Sequence, residues 1–188
     1  MVIEAGRVSS VLALDPGTTQ SGWCIYQDGK VSDSGIEDNH ALLRLLKLVT
    51  ADDVAIEMIA SYGMAVGKEV FETCVWIGRF MEAFEGRVSL IYRRDVKLHL
   101  CGTVRAKDAN VRAALLDKVG PQGTKAAPGP TFGIKSHAWA ALAVAVTFTE
   151  TRINPSFQTG QDVATSAALI TADAARPDPC TAVLRGNE

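Results

Sequence analysis

The sequence predicts a single α/β domain with a mixed five-stranded sheet and helices on both of its faces. The chain has 188 residues, 47% of them hydrophobic, which is enough for one substantial core and too little for two domains of ordinary size. Its apolar segments follow the order of three strands, a helix, a strand, a long helix, a strand and two more helices. A three-strand meander followed by alternating helices and strands gives a sheet of this kind.

The first elements form an antiparallel meander. Ser10 to Leu14 is a short apolar run typical of a buried strand, and residues 22 to 26 form a second strand. The Asp-Gly pair at Asp28 predicts a tight hairpin turn, after which residues 30 to 36 return as a third, antiparallel strand.

A helix, a strand and a long helix follow. Asn39 is a candidate N-cap for a helix over residues 41 to 48, whose leucines fall on one stripe. Residues 53 to 59 are a short apolar run of strand type. From Val66 to about Phe84 the apolar residues recur at helical spacing, which predicts a long amphipathic helix that stops at Gly86.

The last elements are a strand and two helices. Residues 88 to 92 predict a strand, and a cationic stretch follows it. Residues 108 to 119 predict a helix, and residues 122 to 130 form a loop rich in glycine and proline. An alanine-rich helix over residues 136 to 149 is apolar on nearly all sides, which indicates a place in the core.

We expect the globular domain to span residues 1 to 152. Residues 153 to 188 have scattered prolines, small polar residues and little periodicity, which predicts a flexible or weakly structured tail. A short helix around residues 163 to 175 is the one candidate element within it.

Charge and cysteine usage narrow the class of protein. A net charge of −2 argues against a wholly basic nucleic-acid binder but leaves room for a local basic stripe. The four cysteines are widely spaced, without a CxxC pair, as is typical of a reducing compartment. No apolar run approaches the roughly 20 residues that span a bilayer, and the N-terminus lacks signal-peptide features. We therefore expect a cytoplasmic protein that has no membrane partner.

Two carboxylates stand out because apolar residues surround them. Asp15 follows the apolar run of the first strand, and Glu57 lies within Ala-Ile-Glu-Met-Ile in the fourth. Burying an unpaired charge is costly, and two-metal phosphoryl chemistry needs acidic oxygen ligands from separate segments. The structural alternatives are a turn begun by Asp15-Pro-Gly and a paired or sheet-edge Glu57.

The first motif also resembles the opening of a different class of protein. Sugar kinases, heat-shock chaperones and actin-like ATPases begin with a strand, an aspartate and Gly-Thr-Thr, and use the turn to clamp phosphate. That fold needs a second glycine-rich phosphate loop in a duplicated half. The sequence has no such loop, and its length argues against two such halves.

Four motifs carry a resemblance to a known family. In their order and spacing the chain resembles the RuvC-type Holliday junction resolvases of the ribonuclease H-like superfamily, and more closely their phage-encoded branch. The resemblance spans residues 11 to about 149 and implies a ribonuclease H-like fold. The motifs are Leu12-Ala-Leu-Asp15-Pro-Gly, Ile56-Glu57-Met-Ile-Ala-Ser-Tyr62-Gly, Arg105-Ala-Lys-Asp-Ala-Asn-Val-Arg112 and Lys135-Ser-His137-Ala-Trp-Ala-Ala-Leu-Ala-Val-Ala145.

The resemblance implies a metal site with three residues. Asp15 is similar to the first-strand carboxylate that bridges two metal ions, and Glu57 is similar to the fourth-strand carboxylate. His137 is similar to the residue that opens the last catalytic helix. The implied catalytic residues and metal ligands are therefore Asp15, Glu57 and His137, with Mg²⁺ as the cofactor and Mn²⁺ as a substitute.

The chain departs from the family at Ala140, where the resemblance implies a further acid. Ser136 or Asp108 could replace that acid, or three ligands suffice, or the protein is catalytically weak. The implied activity is metal-dependent, structure-selective endodeoxyribonuclease cleavage of Holliday junctions and related branched DNA by two-metal hydrolysis, which leaves 5′ phosphate and 3′ hydroxyl ends. The alternative is a RuvC-like protein that binds branched DNA without cleaving it or cleaves it weakly.

Branched DNA is the implied partner, as four-way junctions and also as forks and flaps, in a bacterial or phage-infected host cytoplasm. Symmetric cutting of two strands implies a homodimer. The helix from Val66 to Phe84 is the candidate interface because it has a second set of apolar residues outside its main stripe, namely Phe71, Val75, Trp76 and Phe80, and the alternative is a helix buried on both sides.

A cationic cluster suits DNA phosphates, with an ordinary solvated surface as the alternative. Tyr62 is a candidate to stack on an unpaired base, with ordinary packing in a loop as the alternative. The candidate DNA-binding residues are Tyr62, Arg93, Arg94, Lys97, Arg105, Lys107, Arg112 and Lys135.

Overall fold

The computed structural model describes residues 10–61 and 63–153, and this part of the chain contains five strands and five helices. The mixed five-stranded sheet with helices on both faces confirms the predicted fold class. In chain order the elements are β1 (Ser10–Asp15), β2 (Gln20–Gln27), β3 (Lys30–Asp38), α1 (Asn39–Leu46), β4 (Asp53–Met58), α2 (Lys68–Ala83), β5 (Arg87–Tyr92), α3 (Arg93–Cys101), α4 (Asp108–Val119) and α5 (Ala138–Ile153).

The strands are arranged in the order β3-β2-β1-β4-β5. The meander β1-β2-β3 is antiparallel, and its hairpin turn has Asp28 at φ 53° and Gly29 at φ 74°, as the predicted Asp-Gly turn requires. Strand β4 pairs with β1 in parallel, and β5 pairs in parallel with β4. The carboxyl ends of β1 and β4 therefore meet at the same edge of the sheet.

A hydrophobic core lies on each face of the sheet, because successive residues of a strand point to opposite sides. Leu12 and Leu14 of β1 pack with α1 and α2 in one cluster. Val11 and Ala13 pack with α3, α4 and α5 in the other. Strand β1 is thus covered on both faces, which makes it a rigid support for the residues at its end.

Helix α5 lies closely against the sheet. Its residues from Ala141 to Val146 are fully buried, as the alanine-rich pattern predicts. Gly22 of β2 faces the start of this helix, where an added methyl group would lie 2.4 Å from both the carbonyl carbon and the oxygen of His137. Only a residue without a side chain allows the two backbones to approach in this way.

The cap of helix α1 differs from the prediction. Asp38 is the N-cap, and its Oδ1 accepts a hydrogen bond from the backbone N–H of His40 at 2.9 Å. Asn39, the predicted cap, is fully buried. Its amide donates to the carbonyl of Gly17 at 2.9 Å, and its oxygen accepts from the hydroxyl of Ser21 at 2.6 Å. Asn39 therefore fixes the turn that follows β1.

Helix α3 was not among the predicted elements. Within it only Val96 and Leu100 are buried, one turn apart, while cationic residues occupy much of the rest. Gly102 ends the helix in the left-handed conformation at φ 69°, and its N–H donates to the carbonyl of Leu98. A buried stripe of two residues is too short to show a helical period in the sequence.

Helix α2 begins at Lys68, two residues after the predicted start. Its buried residues are Thr73, Ile77 and Phe80, so Phe80 belongs to the core and not to a second apolar face. Phe71 and Val75 are 61% and 62% exposed, which leaves a smaller apolar surface than the sequence suggests.

The predicted tail lies outside the described residues from residue 154 onward, together with its candidate helix at 163 to 175. The boundary predicted at residue 152 therefore stays a prediction. Within residues 10–61 and 63–153, no helix has the length and apolar character needed to cross a bilayer.

Gly22→Ala should destabilise the fold, because the new methyl group would collide with the backbone of His137. Overpacking of this kind costs about 1–3 kcal/mol, which chemical denaturation can measure. Gly78→Ala in α2 is the matched control, since nothing lies within 4 Å of the added methyl group. That control should stabilise the protein by up to about 1 kcal/mol through helix propensity. Equal effects of the two substitutions would contradict the close contact.

Candidate active site

A cavity of about 450 Å³ lies at the carboxyl ends of β1 and β4. The register pairs Leu14 with Ile56, so the next residues on each strand, Asp15 and Glu57, lie side by side. His137, just before α5, lines the same cavity. The structure therefore brings together the three residues that the resemblance assigns to a metal site.

His137 contacts Asp15 directly, with 2.9 Å between its Nδ1 and the Oδ2 of the carboxylate. Two features of the backbone place it there. Gly22 is the cross-strand partner of Asp15 and lets the start of α5 approach. Ser136 has φ 40°, a left-handed conformation that is costly for a residue other than glycine and that occurs often at functional sites.

The two carboxylates are largely shielded from water and repel each other. Burial raises the pKa of Glu57 to about 7, and the charge of Asp15 adds to this increase. Burial also raises the pKa of Asp15, although the hydrogen bond and charge of His137 act against it. Both carboxyl groups therefore bind a proton more tightly than they do in water, and burial is the main cause.

Arg93 is a cation of this cavity that bonds directly to its acids. Its Nη1 lies 3.2 Å from the Oε2 of Glu57, and its Nη2 lies 2.6 Å from the Oδ1 of Asp108. The sequence predicts Arg93 as a DNA contact, and its role as a counter-ion of the acids was missed. Asp108, considered above as a replacement acid, does line the cavity, with 80% of its side chain exposed.

The donor chemistry fits a hard divalent cation, because oxygen ligands dominate and the two carboxylates are shielded from water. The ligands are not assembled in advance: within the described ranges, no three His, Cys, Asp or Glu side chains are grouped as a metal site. Arg93 bonds to both Glu57 and Asp108. Ala140 also lines the cavity, so its methyl group occupies a position from which an acid could reach the site.

The other candidate DNA contacts lie on several different surfaces. Arg112 lines the carboxylate cavity, and Lys135 lines a second cavity beside it. Arg105 lies along a groove between α3 and α4. The remaining described candidates are Arg94 and Lys97 on α3 and the exposed Lys107 before α4; Tyr62 lies outside the described residues.

Two solved structures are similar to this chain over most of its length. One is the Thermus thermophilus RuvC structure, with a TM-score of 0.59 and 18% sequence identity, covering 76% of this chain and 95% of that chain. The other is T. thermophilus RuvC in complex with Holliday junction substrate, with a TM-score of 0.58, 18% identity, and coverage of 78% and 96%. The fold is that of RuvC.

No protein-family model and no curated protein matches the chain. At 18% identity the two RuvC structures establish the fold and leave the chemistry to the residues of this chain. Membership of the phage-encoded branch stays a prediction.

The raised pKa of Glu57 predicts a pH dependence of stability. A carboxyl group whose pKa rises from 4.5 to about 7 on folding stabilises the fold below pH 4.5, and this contribution is lost as the pH rises through 7. In EDTA, the free energy of unfolding of the wild type should therefore fall across this window, and Glu57→Gln should remove much of the fall. Denaturant titrations at a series of pH values measure both slopes.

Glu150→Gln is the control with the opposite sign. Burial acts to raise the pKa of Glu150, but hydrogen bonds from Lys118 and His99 outweigh it and lower the pKa. Its contribution to stability is present above pH 4.5 and lost on acidification, so this substitution should leave the fall toward pH 7 in place. An unchanged fall in Glu57→Gln would contradict the desolvated site.

Proposed function

We propose that this protein is a divalent-metal-dependent endodeoxyribonuclease that resolves Holliday junctions and related branched DNA. One observation carries the proposal: a single cavity contains Asp15 and Glu57 on adjacent parallel strands and His137 beside them. Carboxylates from separate segments that converge in this way suit two-metal hydrolysis of a phosphodiester. The fold adds support, since one of the similar structures is RuvC bound to Holliday junction substrate.

In this proposal Asp15, Glu57 and His137 hold Mg²⁺ or Mn²⁺. The ion, when bound, supplies positive charge for the phosphate oxygens and lowers the pKa of the attacking water. Water attacks the phosphorus in line and loses a proton, the bond to the 3′ oxygen breaks, and that oxygen takes up a proton. The products are a 5′ phosphate and a 3′ hydroxyl. Arg93 pairs with Glu57 and Asp108, and its guanidinium would also be able to donate to a DNA phosphate beside these acids.

We propose further that the enzyme acts as a homodimer, because cutting two strands symmetrically needs two sites related by a two-fold axis. The exposed apolar residues Phe71 and Val75 on α2, together with Met64 and Val66 before it, are the candidate interface. The cationic residues around α3 and α4 would bind the DNA arms through their phosphates.

Asp15→Asn should lower junction cleavage by roughly 100-fold or more, since charge stabilisation by a metal is worth several kcal/mol. Labelled four-way junction, fork and duplex are incubated with wild type and variant in Mg²⁺, Mn²⁺ and EDTA, and the nicked products are quantified. Asp33→Asn is the control, because Asp33 is exposed on β3 and does not line the cavity.

Cleavage that survives EDTA or Asp15→Asn would contradict the proposed metal site. A wild type that binds the junction and cleaves it in neither metal would favour the alternative of a non-cleaving RuvC-like protein. Ala140 supports this alternative, because it has a methyl group in the cavity where the resemblance implies an acid.

Ala140→Asp should reduce the Mg²⁺ concentration needed for half-maximal cleavage, because it adds a negatively charged oxygen ligand to the cavity. Ala140→Asn is the control, since it adds similar bulk without the charge. A metal titration of cleavage rates measures the effect, and an Mg²⁺ requirement that is the same in all three proteins would contradict it.

A further inference from the structure

The loop between α4 and α5 is held in a fixed conformation. The N–H of Gly129 donates to the carbonyl of Gln122 at 2.8 Å, and the hydroxyl of Thr131 donates to the carbonyl of Gly120 at 3.0 Å. Thr131 and Ile134 are both buried. The loop is therefore anchored in the protein on either side of the two residues at positions 132 and 133.

Phe132 stands between these anchors with 47% of its side chain exposed. Its N–H donates to the carbonyl of Gly129 at 3.0 Å, which fixes the backbone at this point. A single exposed aromatic residue is ordinary on a protein surface. What distinguishes Phe132 is the cavity that it lines.

That cavity has a volume of about 500 Å³, which falls within the range of small-ligand sites. It shares Arg112, Ser136 and Trp139 with the carboxylate cavity, so the two are adjacent and have a common wall. A group bound beside Phe132 would therefore lie next to whatever the acids bind.

The polar groups of this second cavity are already oriented. The guanidinium of Arg112 lies 4.7 Å from the centre of the Trp139 ring, and its Nη2 donates to the Oε1 of Gln122 at 2.9 Å. The Trp139 indole N–H donates to the carbonyl of Ile134 at 3.0 Å. Lys135 adds a second cation, and none of the described residues that line the cavity is acidic. An aromatic surface with two cations suits an anionic ligand that has a flat ring.

We infer that this group of residues, Phe132, Arg112, Gln122, Lys135 and Trp139, is a subsite for an unpaired nucleobase next to the phosphate that is cleaved. The base stacks on Phe132, and the cations bind the phosphate that joins it to the strand. The inference rests on the proposed function. Through this subsite, the loop before α5 would make the protein selective for DNA that contains unpaired bases.

The test measures binding in EDTA, where cleavage does not interfere. A four-way junction has 2-aminopurine at its crossover, and a matched duplex has it at the middle of the same sequence. Both are titrated with wild type, Phe132→Ala, Phe132→Leu and Phe132→Tyr. Leu48→Ala is the control, because Leu48 is 82% exposed and lines neither cavity. Base stacking of about 1–3 kcal/mol corresponds to a roughly 5- to 150-fold loss of junction affinity in Phe132→Ala and Phe132→Leu.

Phe132→Tyr and Leu48→Ala should bind like the wild type, and 2-aminopurine fluorescence should be quenched only by proteins with an aromatic residue at position 132. Duplex affinity should be the same in all variants. Junction affinity and quenching that persist in Phe132→Leu would overturn the subsite, and so would an equal loss on duplex and junction. A wild type that binds no junction would instead refute the proposed function.

Discussion

The close backbone approach of Gly22 and His137 allows the start of α5 to lie against the sheet, and the position of His137 in the acidic cavity depends on it. Gly22 is the cross-strand partner of Asp15, so the helix begins beside the strand end that carries this carboxylate. The left-handed turn at Ser136 directs the chain into that position. Helix α5 is packed into the core on this face of the sheet, so a shift at Gly22 would disturb the packing of the whole helix.

The charges in the cavity are arranged at a cost to the fold. Asp15 and Glu57 are drawn out of water on strands that are themselves covered by two hydrophobic cores. Arg93 offsets part of this cost because its planar guanidinium reaches Glu57 and Asp108 at once. The buried acids lower the stability of the fold, and the two hydrophobic cores offset this loss. Such a balance is common where a site must bind a charged ligand.

Local patterns in the sequence predicted the fold and the two main carboxylates, while long-range contacts were beyond their reach. The strands were evident from short apolar runs and the Asp-Gly turn, and Asp15 and Glu57 from the apolar residues around them. The role of Asn39 depends on partners 22 and 18 residues away, so it resembled an ordinary cap. The inward position of Arg93 depends on an acid 36 residues away, and in the sequence it is one of several neighbouring cations. Helix α3 was not predicted because only two of its residues are buried, which is too few to show a helical period.

The pairing of Asp15 with His137 also bears on when the site comes into existence. The two residues are 122 positions apart in the chain, so they meet only after nearly all of the described domain has been synthesised and its largest loop has closed. The meander β1-β2-β3, by contrast, is local and can form early. A nascent chain that has not yet reached His137 therefore carries both carboxylates without the histidine that contacts Asp15.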